Sequence, residues 1–496
     1  MVDAILIIAA GLGAAFLLGL LNERWRVAAY ALTLATLAFM TWVSAGWLWA
    51  FAIEGASPVD IFTAGTPPPF AINLHIGLAE SALLLLVNLS GLLSALYLRH
   101  TLMRLGRRAM AVLMIFVMAL GGIILTRDIF NLFVFFELMV IATGGLILLS
   151  EDDRALAAGF KYLVAAQFVS ILLLIGIIFA YHAGGSLSID DLAAMSPGLM
   201  ESAALAFFLI FIAVVIELKP FPANGWALDI YESAHPAFSA VFSAASGAAV
   251  LFAADKVLAI GGTDWLHAAS VLGIITFLGS NLFALSQDND RRLLGYSSVG
   301  QMGLVLVVVG QQEILGDSYL FIAGGILLAH AVAKAGLYWL SGLVAERHLT
   351  AWTALRGHPV LIFAFVTFMA MLLGLPPFPG FYAKWELAHL LAADGRVLLL
   401  GLILFASLME AGYLFRWFGR IMGREREGEL RDRDPLKWLV VLAAALAGWL
   451  LGMAWGGLSQ YGNLLLSLPL LFALGFLLLD WLPAWVKNTL AIAGMV

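Results

Sequence analysis

Two lysines lie where apolar segments are broken by proline and glycine. Lys219 ends the apolar run 203–218 and opens the sequence Lys219-Pro-Phe-Pro-Ala-Asn-Gly225. Lys384 follows a second interrupted segment, Gly374-Leu-Pro-Pro-Phe-Pro-Gly380. A charged side chain near the bilayer centre costs roughly 3 kcal/mol on insertion scales, so residues of this kind usually have a function. A lysine in a dry site can release its proton when a neighbouring negative charge is neutralised, and both positions therefore predict proton-transfer chemistry.

Glu137 is the acidic residue that matches these lysines. It lies inside the segment 128–139, with mostly apolar residues for about two turns on either side. A carboxylate in that position either pairs with a cation or holds a proton. We expect it to pair with Lys219, whereas Glu217, two residues before that lysine, is expected to face elsewhere on its helix. The alternative is a neutral Glu137 that only hydrogen-bonds neighbouring helices.

Further polar residues lie inside the apolar segments downstream. His330 and Lys334 are four residues apart and share one face of an otherwise apolar helix. Glu410 lies roughly two turns before Arg416 and is in a position to pair with it. The predicted proton carriers of this region are His330, Lys334, Lys384 and Glu410. For His330 a simple hydrogen bond between helices is the alternative.

Three charged residues lie nearer the ends of their apolar segments: Lys161, Asp255 and Lys256. A long cationic side chain in such a place can extend along the helix to the polar surface. For these residues a structural role explains the sequence as well as a functional one.

The elements that must position these side chains are apolar almost throughout. The chain has 496 residues, of which 63% are hydrophobic and 12% charged, and its mean hydropathy is +1.00. These values exclude a soluble domain and indicate an all-α polytopic membrane protein. Segments able to cross about 30 Å number about fourteen or fifteen, and they lie at 4–21, 28–52, 73–98, 109–126, 129–150, 157–181, 203–233 (broken), 237–260, 265–285, 293–310, 317–344, 359–392 (broken), 397–419, 437–456 and 463–483.

The composition also excludes several kinds of site. The sequence contains no cysteine, so disulfides, thiolate metal sites and iron–sulfur clusters are excluded on this chain. The nine histidines include no pair at the H-x-x-x-H spacing. We expect no metal and no cofactor on this chain, no redox chemistry of its own, and no nucleic-acid partner. The N-terminus lacks a basic region and a cleavage site, so we expect a retained first span rather than a signal peptide.

The distribution of arginine and lysine predicts the orientation of the chain. With the N-terminus outside, nearly all basic loop residues fall on the inner side, and the outer loops carry only Arg127 and Arg396. We therefore expect a multi-pass protein of the cell inner (plasma) membrane with its N-terminus outside.

Several segments carry a resemblance to a known family. They follow one another over about residues 110–390, and each is weak alone although their combination is specific. The chain resembles the antiporter-like subunits of respiratory complex I, of membrane-bound hydrogenases and of multisubunit Mrp cation/proton antiporters, the D-type Mrp subunits in particular. The matching segments are Arg127-Asp-Ile-Phe-Asn-Leu-Phe-Val-Phe-Phe-Glu137, Lys219-Pro-Phe-Pro-Ala-Asn-Gly-Trp-Ala-Leu-Asp229, Tyr231-Glu-Ser-Ala-His-Pro236, Asp290-Arg-Arg-Leu-Leu-Gly-Tyr-Ser-Ser298, His330 through Lys334, and Gly374 through Lys384.

The resemblance implies a fold of about fourteen helices with two inverted five-helix repeats, each containing one broken helix. It divides the chain into N-terminal helices (1–108), a first repeat (109–260), a second repeat (265–420) and C-terminal helices (421–496). It also implies two half-channels for protons joined by a polar axis at mid-membrane. The axis residues are Glu137, Lys219, Lys334 and Lys384. A change of charge at the first two would pass to the next lysine and to a neighbouring subunit.

One departure from the family pattern concerns the helix after the first break. The family usually has a lysine in the small-residue segment that corresponds to 238–248, and here that position is Gly247 or Ala248. Proton transfer beyond the first break must then use water or another side chain, or it is interrupted. The candidates in this segment are Ser243 and Ser246.

A second departure is Gln301, which replaces a histidine that often follows the Tyr-Ser-Ser sequence. The two departures favour a divergent Mrp-type or hydrogenase-type subunit over a standard complex I subunit.

We therefore predict a proton-translocating antiporter-like subunit of a multisubunit complex, coupled to sodium antiport or to a redox module. Its expected partners are homologous antiporter-like subunits, small membrane subunits and the lipid bilayer, and its expected ion is the proton, with sodium as a second ion. Two alternatives stay open. One is a stand-alone secondary transporter of a small solute, and the other is a non-conducting structural subunit of such a complex.

Overall fold

The computed structural model describes residues 2–68, 70–150, 153–423 and 428–458, and these are predominantly α-helical, which confirms the predicted fold class. The α-helices are α1 (Ile5–Leu20), α2 (Arg26–Ala52), α3 (Leu78–Tyr97), α4 (Arg99–Leu105), α5 (Arg107–Leu125), α6 (Ile129–Leu148), α7 (Asp153–Gly184), α8 (Ile189–Glu217), α9 (Gly225–Ser233), α10 (Pro236–Val241), α11 (Gly247–Leu258), α12 (Gly262–Ala284), α13 (Asp290–Gly310), α14 (Gln312–Leu315), α15 (Tyr319–Ser341), α16 (Pro359–Leu373), α17 (Pro379–Ala393), α18 (Val397–Met422) and α19 (Pro435–Leu458). A π-helical turn, Phe242–Ser246, joins α10 to α11.

The helices account for the predicted membrane spans. Within the described residues, ten helical stretches are long and apolar enough to cross a membrane, and three shorter apolar helices add to them, at Ile5–Leu20, Ala203–Glu217 and Pro359–Leu373. Every predicted span from 4–21 to 437–456 overlaps helix. One of the ten stretches, Pro236–Ala284, contains two predicted spans. The predicted last span, 463–483, lies outside the described residues, as do the predicted inner-side residues Arg424, Arg426 and Lys487.

The chain divides into two compact units. The first comprises the residues up to Thr276 together with Met302–Gln311, and the second comprises Phe277–Gln301 together with the residues from Gln312 onward. The second unit is built around an aromatic cluster in which Trp417 packs edge-on against Trp352 and Phe365, with ring centroids 4.5 and 5.2 Å away. The four segments and the two inverted repeats implied by the family resemblance stay predictions.

The described residues contain one small sheet, an antiparallel hairpin of β1 (Val59–Phe62) and β2 (Asn73–Ile76) between α2 and α3. Asp60 stands opposite His75, and its Oδ1 accepts hydrogen bonds from His75 Nδ1 at 2.9 Å and from Asn73 Nδ2 at 3.0 Å. Burial alone would raise the pKa of Asp60, but these hydrogen bonds and the nearby positive charges lower it.

The first broken helix runs from α8 to α9. α8 is kinked at Ala203, whose φ of −119° and ψ of 19° depart from helical values, and it ends at Glu217. Pro220 lacks a backbone N–H and disfavours helical geometry in the residue before it, so the helix cannot continue. That residue, Lys219, has a φ of 60° and is the only non-glycine residue with a positive φ in the described chain. Its side chain therefore departs in a direction that helical spacing from Glu217 does not predict.

The second broken helix runs from α16 to α17. Gly374 follows the end of α16 in the left-handed conformation, with a φ of 70° and a ψ of 47°, which glycine adopts without steric cost. A Cβ atom at this position would lie 3.0 Å from Lys384 Cδ and 3.3 Å from the carbonyl oxygen of Gly380. Pro379 then begins α17, a position that suits its fixed φ. The glycine therefore allows both the turn and the close approach of the lysine stem.

Candidate functional sites at the two broken helices

The second break holds an ion pair between α17 and α18. Lys384 Nζ lies 3.7 Å from Glu410 Oε2, and the side chains are 18% and 1% exposed. Lys384 Nζ also donates a hydrogen bond to the backbone oxygen of Leu372, at 3.1 Å, in the last turn of α16. The lysine that follows the break is thus fixed both to the end of the preceding helix and to a buried carboxylate.

Neutral hydrogen-bonding groups complete the surroundings of this carboxylate. Gln301 Nε2 donates to Glu410 Oε2 at 2.6 Å, and the hydroxyls of Tyr413 and Ser297 lie 3.3 and 3.4 Å from Glu410 Oε1. Gln301 is the residue that replaces the histidine expected from the family pattern. Its amide cannot carry a proton as an imidazole does, but it holds one oxygen of the carboxylate in place.

Lys334 lies near the same carboxylate. Its side chain is fully buried on α15, its Nζ donates to the backbone oxygen of Leu294 at 3.2 Å, and it interacts electrostatically with Glu410. His330, one turn earlier on the same helix, is also buried. The second unit therefore brings the predicted residues Lys334, Lys384 and Glu410 into one electrostatic group.

The expected partnership of Glu410 with Arg416 is wrong. Both terminal guanidinium nitrogens of Arg416 donate to backbone carbonyls, those of Leu285 and Gln287 after the end of α12. The long-range packing of α18 against α17 gives Glu410 a different cation, Lys384. Spacing along one helix could not reveal a partner on another helix.

Lys219 at the first break has different surroundings. Its Nζ lies 5.8 Å from the ring centroid of Trp226, in a cation–π arrangement, and the acidic group that acts on it electrostatically is Glu217. Among the residues that the structure describes, Lys219 forms no ion pair. The expectation that Glu217 faces elsewhere on its helix relied on helical spacing, and the left-handed turn at Lys219 removes that spacing.

A small cavity lies next to Lys219. It has about 10 Å³ available to the centre of a water molecule, which is room for about one water. Polar atoms on several helices line it, so a water there has hydrogen-bond partners. Its lining residues are Thr143, Tyr162, Lys219, Ala227, Ile230, Tyr231, Phe242 and Ser246.

Glu137 does not form the expected ion pair with Lys219 in the described residues. Its Oε2 accepts a hydrogen bond from Gln167 Nε2 at 2.9 Å, whereas its Oε1 is buried without a hydrogen-bond partner there. Glu137 also interacts electrostatically with Glu217. The two acids of this region therefore interact with each other, and Glu217 in turn interacts with Lys219.

The segment that lacks the family's lysine is tightly packed. Ser246 Oγ, at the end of the π-helical turn, lies 3.6 Å from Met139 Sδ. A Cβ atom at Gly247 would lie 3.2 Å from Met302 Sδ, and Ala248 is fully buried. Methionine sulfur atoms therefore pack against this segment, and of the two candidate serines Ser246 lines the cavity next to Lys219.

Lys161 and Lys256, for which a structural role explained the sequence as well as a functional one, both have contacts that stabilise the fold. Lys161 Nζ forms an ion pair of 2.9 Å with Asp229 between α7 and α9, and its side chain is mostly exposed. Lys256 Nζ donates to the backbone oxygens of Ile123, Ile124 and Thr126 at 2.9, 2.9 and 2.8 Å. An ammonium group at these unpaired carbonyls stabilises the C-terminal end of α5.

The ionisable groups at the second break suit proton transfer. The described residues hold no group of three or more His, Asp or Glu that could bind a metal ion. A proton can move between an amine and a carboxylate that approach within hydrogen-bond reach, and the second break places Lys384 and Glu410 just beyond that reach.

The sequence prediction missed the contributions of Ser297, Tyr413 and Asn281. The sequence did contain a signal for two of them. Glu410 and Tyr413 are three positions apart and Ser297 and Gln301 are four apart, so each pair shares one face of its helix.

The chain is similar in sequence to subunits of known membrane complexes. The chain is 29% identical over 384 residues to NADH-quinone oxidoreductase subunit N of Desulforudis audaxviator, over 72% of this chain and 74% of that protein. It is 27% identical over 419 residues to the D subunit of a Na(+)/H(+) antiporter of Alkalihalophilus pseudofirmus, over 79% of this chain and 82% of that protein.

Solved structures share the fold. A chain of the membrane-bound sulfane sulfur reductase, an archaeal respiratory membrane complex, superposes with a TM-score of 0.83 at 24% identity, over 93% of this chain and 97% of that chain. A chain of the Mrp complex from a Dietzia species gives a TM-score of 0.81 at 20% identity, over 93% and 96%. The model of the family described as "NADH:quinone oxidoreductase/Mrp antiporter, TM" matches residues 126–410, more than half of the chain. The predicted resemblance is confirmed, and the chain belongs to the NADH:quinone oxidoreductase/Mrp antiporter family of membrane subunits.

Proposed function

We propose that the chain translocates protons as an antiporter-like subunit of a multisubunit membrane complex. The observation that carries this proposal is the buried carboxylate of Glu410, which pairs with the ammonium group of Lys384 and interacts electrostatically with Lys334. A buried ion pair contributes little net stability, because the desolvation of two charges offsets much of their attraction. Ionisable groups inside membrane segments are usually functional, and a carboxylate that interacts with two amines suits the transfer of a proton when the surrounding charge changes.

In the first unit, Lys219 is the proposed first carrier and Glu137 the proposed receiver of the coupling signal. The cavity beside Lys219 offers room for about one water, which supports proton exchange at this amine. Glu217 supplies the negative charge that acts on Lys219. Glu137 would then act on the lysine through Glu217, with which it interacts, rather than by direct pairing.

In the second unit, His330 and Lys334 form the proposed centre of the proton path. Lys384 is the proposed gate to one side of the membrane, and Glu410 is its counter-charge. Protonation of Glu410 would weaken its hold on Lys384 and so change the charge that Lys334 experiences. We propose that this electrostatic coupling of Glu410, Lys384 and Lys334 transmits a change of charge along the second unit.

The names of two relatives support two kinds of coupling partner. One relative is a subunit of a quinone oxidoreductase, and another is a subunit of a Na(+)/H(+) antiporter. We propose that this chain works beside homologous antiporter-like subunits and small membrane subunits, and that proton movement is coupled to a redox module or to Na⁺ exchange. The distribution of basic loop residues supports a position in the cell inner membrane with the N-terminus outside.

The experiment is proton flux across proteoliposomes that contain the whole complex. Lys384→Ala is expected to reduce flux at least tenfold while the complex assembles normally, because the proposed gate is removed. Lys161→Ala is the matched control, since this lysine is mostly exposed and pairs with Asp229, and it is expected to keep normal flux. Normal flux in assembled Lys384→Ala complexes would favour the non-conducting structural subunit. Uptake of a small solute by the isolated chain would favour a stand-alone transporter.

A further inference from the structure

The hydrogen bonds around Glu410 differ in whether they can serve both of its protonation states. A carboxylate accepts hydrogen bonds only, whereas a protonated carboxyl group must also donate one. Lys384 and the Nε2 of Gln301 are donors only, so both favour the ionised form. A residue that carries protons must exist in both states, so at least one partner has to change from donor to acceptor.

Tyr413 has the geometry for that change. Its hydroxyl lies 3.3 Å from Glu410 Oε1 and 3.1 Å from Asn281 Oδ1, and all three side chains are at most 1% exposed. A phenol has one proton, so it donates to one of these oxygens at a time. When it donates to Asn281, its oxygen can accept a hydrogen bond from a protonated Glu410 in addition to its hydrogen bond with Ser297.

Asn281 is held with its acceptor toward the tyrosine. Its Nδ2 donates to the backbone oxygen of Phe277 at 2.9 Å, one turn earlier on α12. With the amide nitrogen engaged there, Oδ1 points to the Tyr413 hydroxyl, and the orientation follows from the hydrogen bonds. Asn281 therefore offers Tyr413 a permanent alternative acceptor.

We propose that Tyr413 and Asn281 form a reversible hydrogen-bond switch that lets Glu410 take up and release a proton. With Glu410 ionised, Tyr413 donates to Oε1. When a proton is taken up from the aqueous phase, an O–H bond forms on Oε1 and donates to the tyrosine oxygen, while the phenolic O–H rotates to Asn281 Oδ1 without breaking. On release the proton returns to water, and Tyr413 again donates to Oε1. Asn281 is a positioning residue, because it acts through Tyr413. The inference rests on the proposed function, in which Glu410 is a proton-carrying group.

Other groups also interact with Glu410 and influence its protonation. They are Lys384 on α17, Lys334 on α15, Ser297 and Gln301 on α13, and Tyr413 on the same helix. Of these, the two lysines are cations, and only the hydroxyls of Ser297 and Tyr413 can both donate and accept. Ser297 is the more distant of the two hydroxyls, at 3.4 Å.

The test follows the protonation of Glu410 directly in the whole complex. Infrared difference spectra recorded against pH report the carboxylic-acid carbonyl band, and the band that Glu410→Gln abolishes is assigned to this residue. Asn281→Leu is expected to move the midpoint of that band about one pH unit downward, because the protonated state loses the acceptor that it needs. In a Tyr413→Phe background, Asn281→Leu is expected to cause no further shift, since the hydroxyl that links the two residues is gone.

Tyr338→Phe is the matched control, because it removes the hydroxyl of a buried tyrosine that donates to the backbone oxygen of Arg291. It is expected to leave the band unchanged. An Asn281→Leu midpoint equal to wild type, or an equal shift with and without the Tyr413 hydroxyl, would overturn the inference. Asn281→Ala, which is smaller, repeats the test without risk of a steric clash. If Lys384→Ala abolishes flux while these shifts are absent, the proposed function stands and only the switch fails.

Discussion

The two broken helices share a left-handed backbone turn, but their lysines have different surroundings. At the second break, Lys384 is 3.7 Å from the carboxylate of Glu410. At the first, Lys219 faces the ring of Trp226 and forms no ion pair within the described chain. Each turn contains a left-handed residue, but this residue is Gly374 in one case and the lysine itself in the other. Two motifs that look alike in sequence therefore place their charges differently.

The difference follows from where the lysine stands relative to the turn. Because glycine takes the left-handed position at the second break, Lys384 lies on the following helix and can reach α18. At the first break Lys219 occupies the turn, so its side chain points toward α9 and a small cavity. We infer that the ammonium group of Lys384 is stabilised by its ion pair with Glu410. The ammonium group of Lys219 depends instead on a longer-range interaction with Glu217 and on water in the cavity.

The largest expected effect comes from removing the acid at the second site. Glu410→Leu leaves the Lys384 ammonium and the Gln301 amide without their partner, and breaking a buried pair costs about 3–5 kcal/mol. Thermal unfolding of the purified complex should show a large loss of stability. Lys384→Met combined with Glu410→Leu should recover much of it. Glu386→Gln is the control, because within the described residues this carboxylate accepts a hydrogen bond from Ser318 and forms no ion pair. A loss as large in the double variant would show that the pair is not the cause.

The backbone device at the second break gives the next largest effect. Gly374→Ala forces a Cβ into the left-handed region and to within 3.0 Å of Lys384 Cδ. We expect a destabilisation of about 1–2 kcal/mol, because alanine is strained at this φ. Gly401→Ala, on α18 where a Cβ meets nothing within 4 Å, should be neutral or slightly stabilising and serves as the control. Equal behaviour of the two variants in thermal unfolding would contradict the role given to Gly374.

At the first break, neutralising the lysine should have little effect on stability. Lys219→Met loses a cation–π contact with Trp226 worth about 0.5–2 kcal/mol, and it also removes the cost of burying a charge without an ion-pair partner. We expect a net change below about 1 kcal/mol, far smaller than the effect of Lys384→Met. Similar losses of thermal stability for both methionine variants would break the comparison between the two sites.

The smallest effect concerns a pair outside the membrane, which serves as a solvated reference. The pKa of Asp60 is lowered in the folded hairpin, so its contribution to stability is present above its ordinary value of 3.8. That contribution is lost as the pH falls through the lowered folded value. Hydrogen exchange of residues 59–76, corrected for the intrinsic effect of pH, should show loosening only below about pH 4. Asp60→Asn should remove this pH dependence, and an unchanged profile would contradict the assignment.

The spans and the breaks were predictable because they depend on local chemistry. Apolar runs of sufficient length must be helical in a membrane, and proline with glycine interrupts them wherever they occur. The partner of Glu410 was not predictable, because it depends on how α17 packs against α18. The direction of Lys219 was not predictable either, since a non-glycine residue rarely takes a φ of 60°. Gln301 was noticed as a departure, but its bond to Glu410 required the fold.

Proton flux through the whole complex with Lys219→Ala measures whether protons pass through the first unit. Lys219 is the more vulnerable of the two lysines because, within the described residues, it has no ion-paired acid. We expect at least a tenfold loss of flux in proteoliposomes, with normal assembly and with stability close to wild type. Unchanged flux in an assembled complex would contradict conduction through the first broken helix.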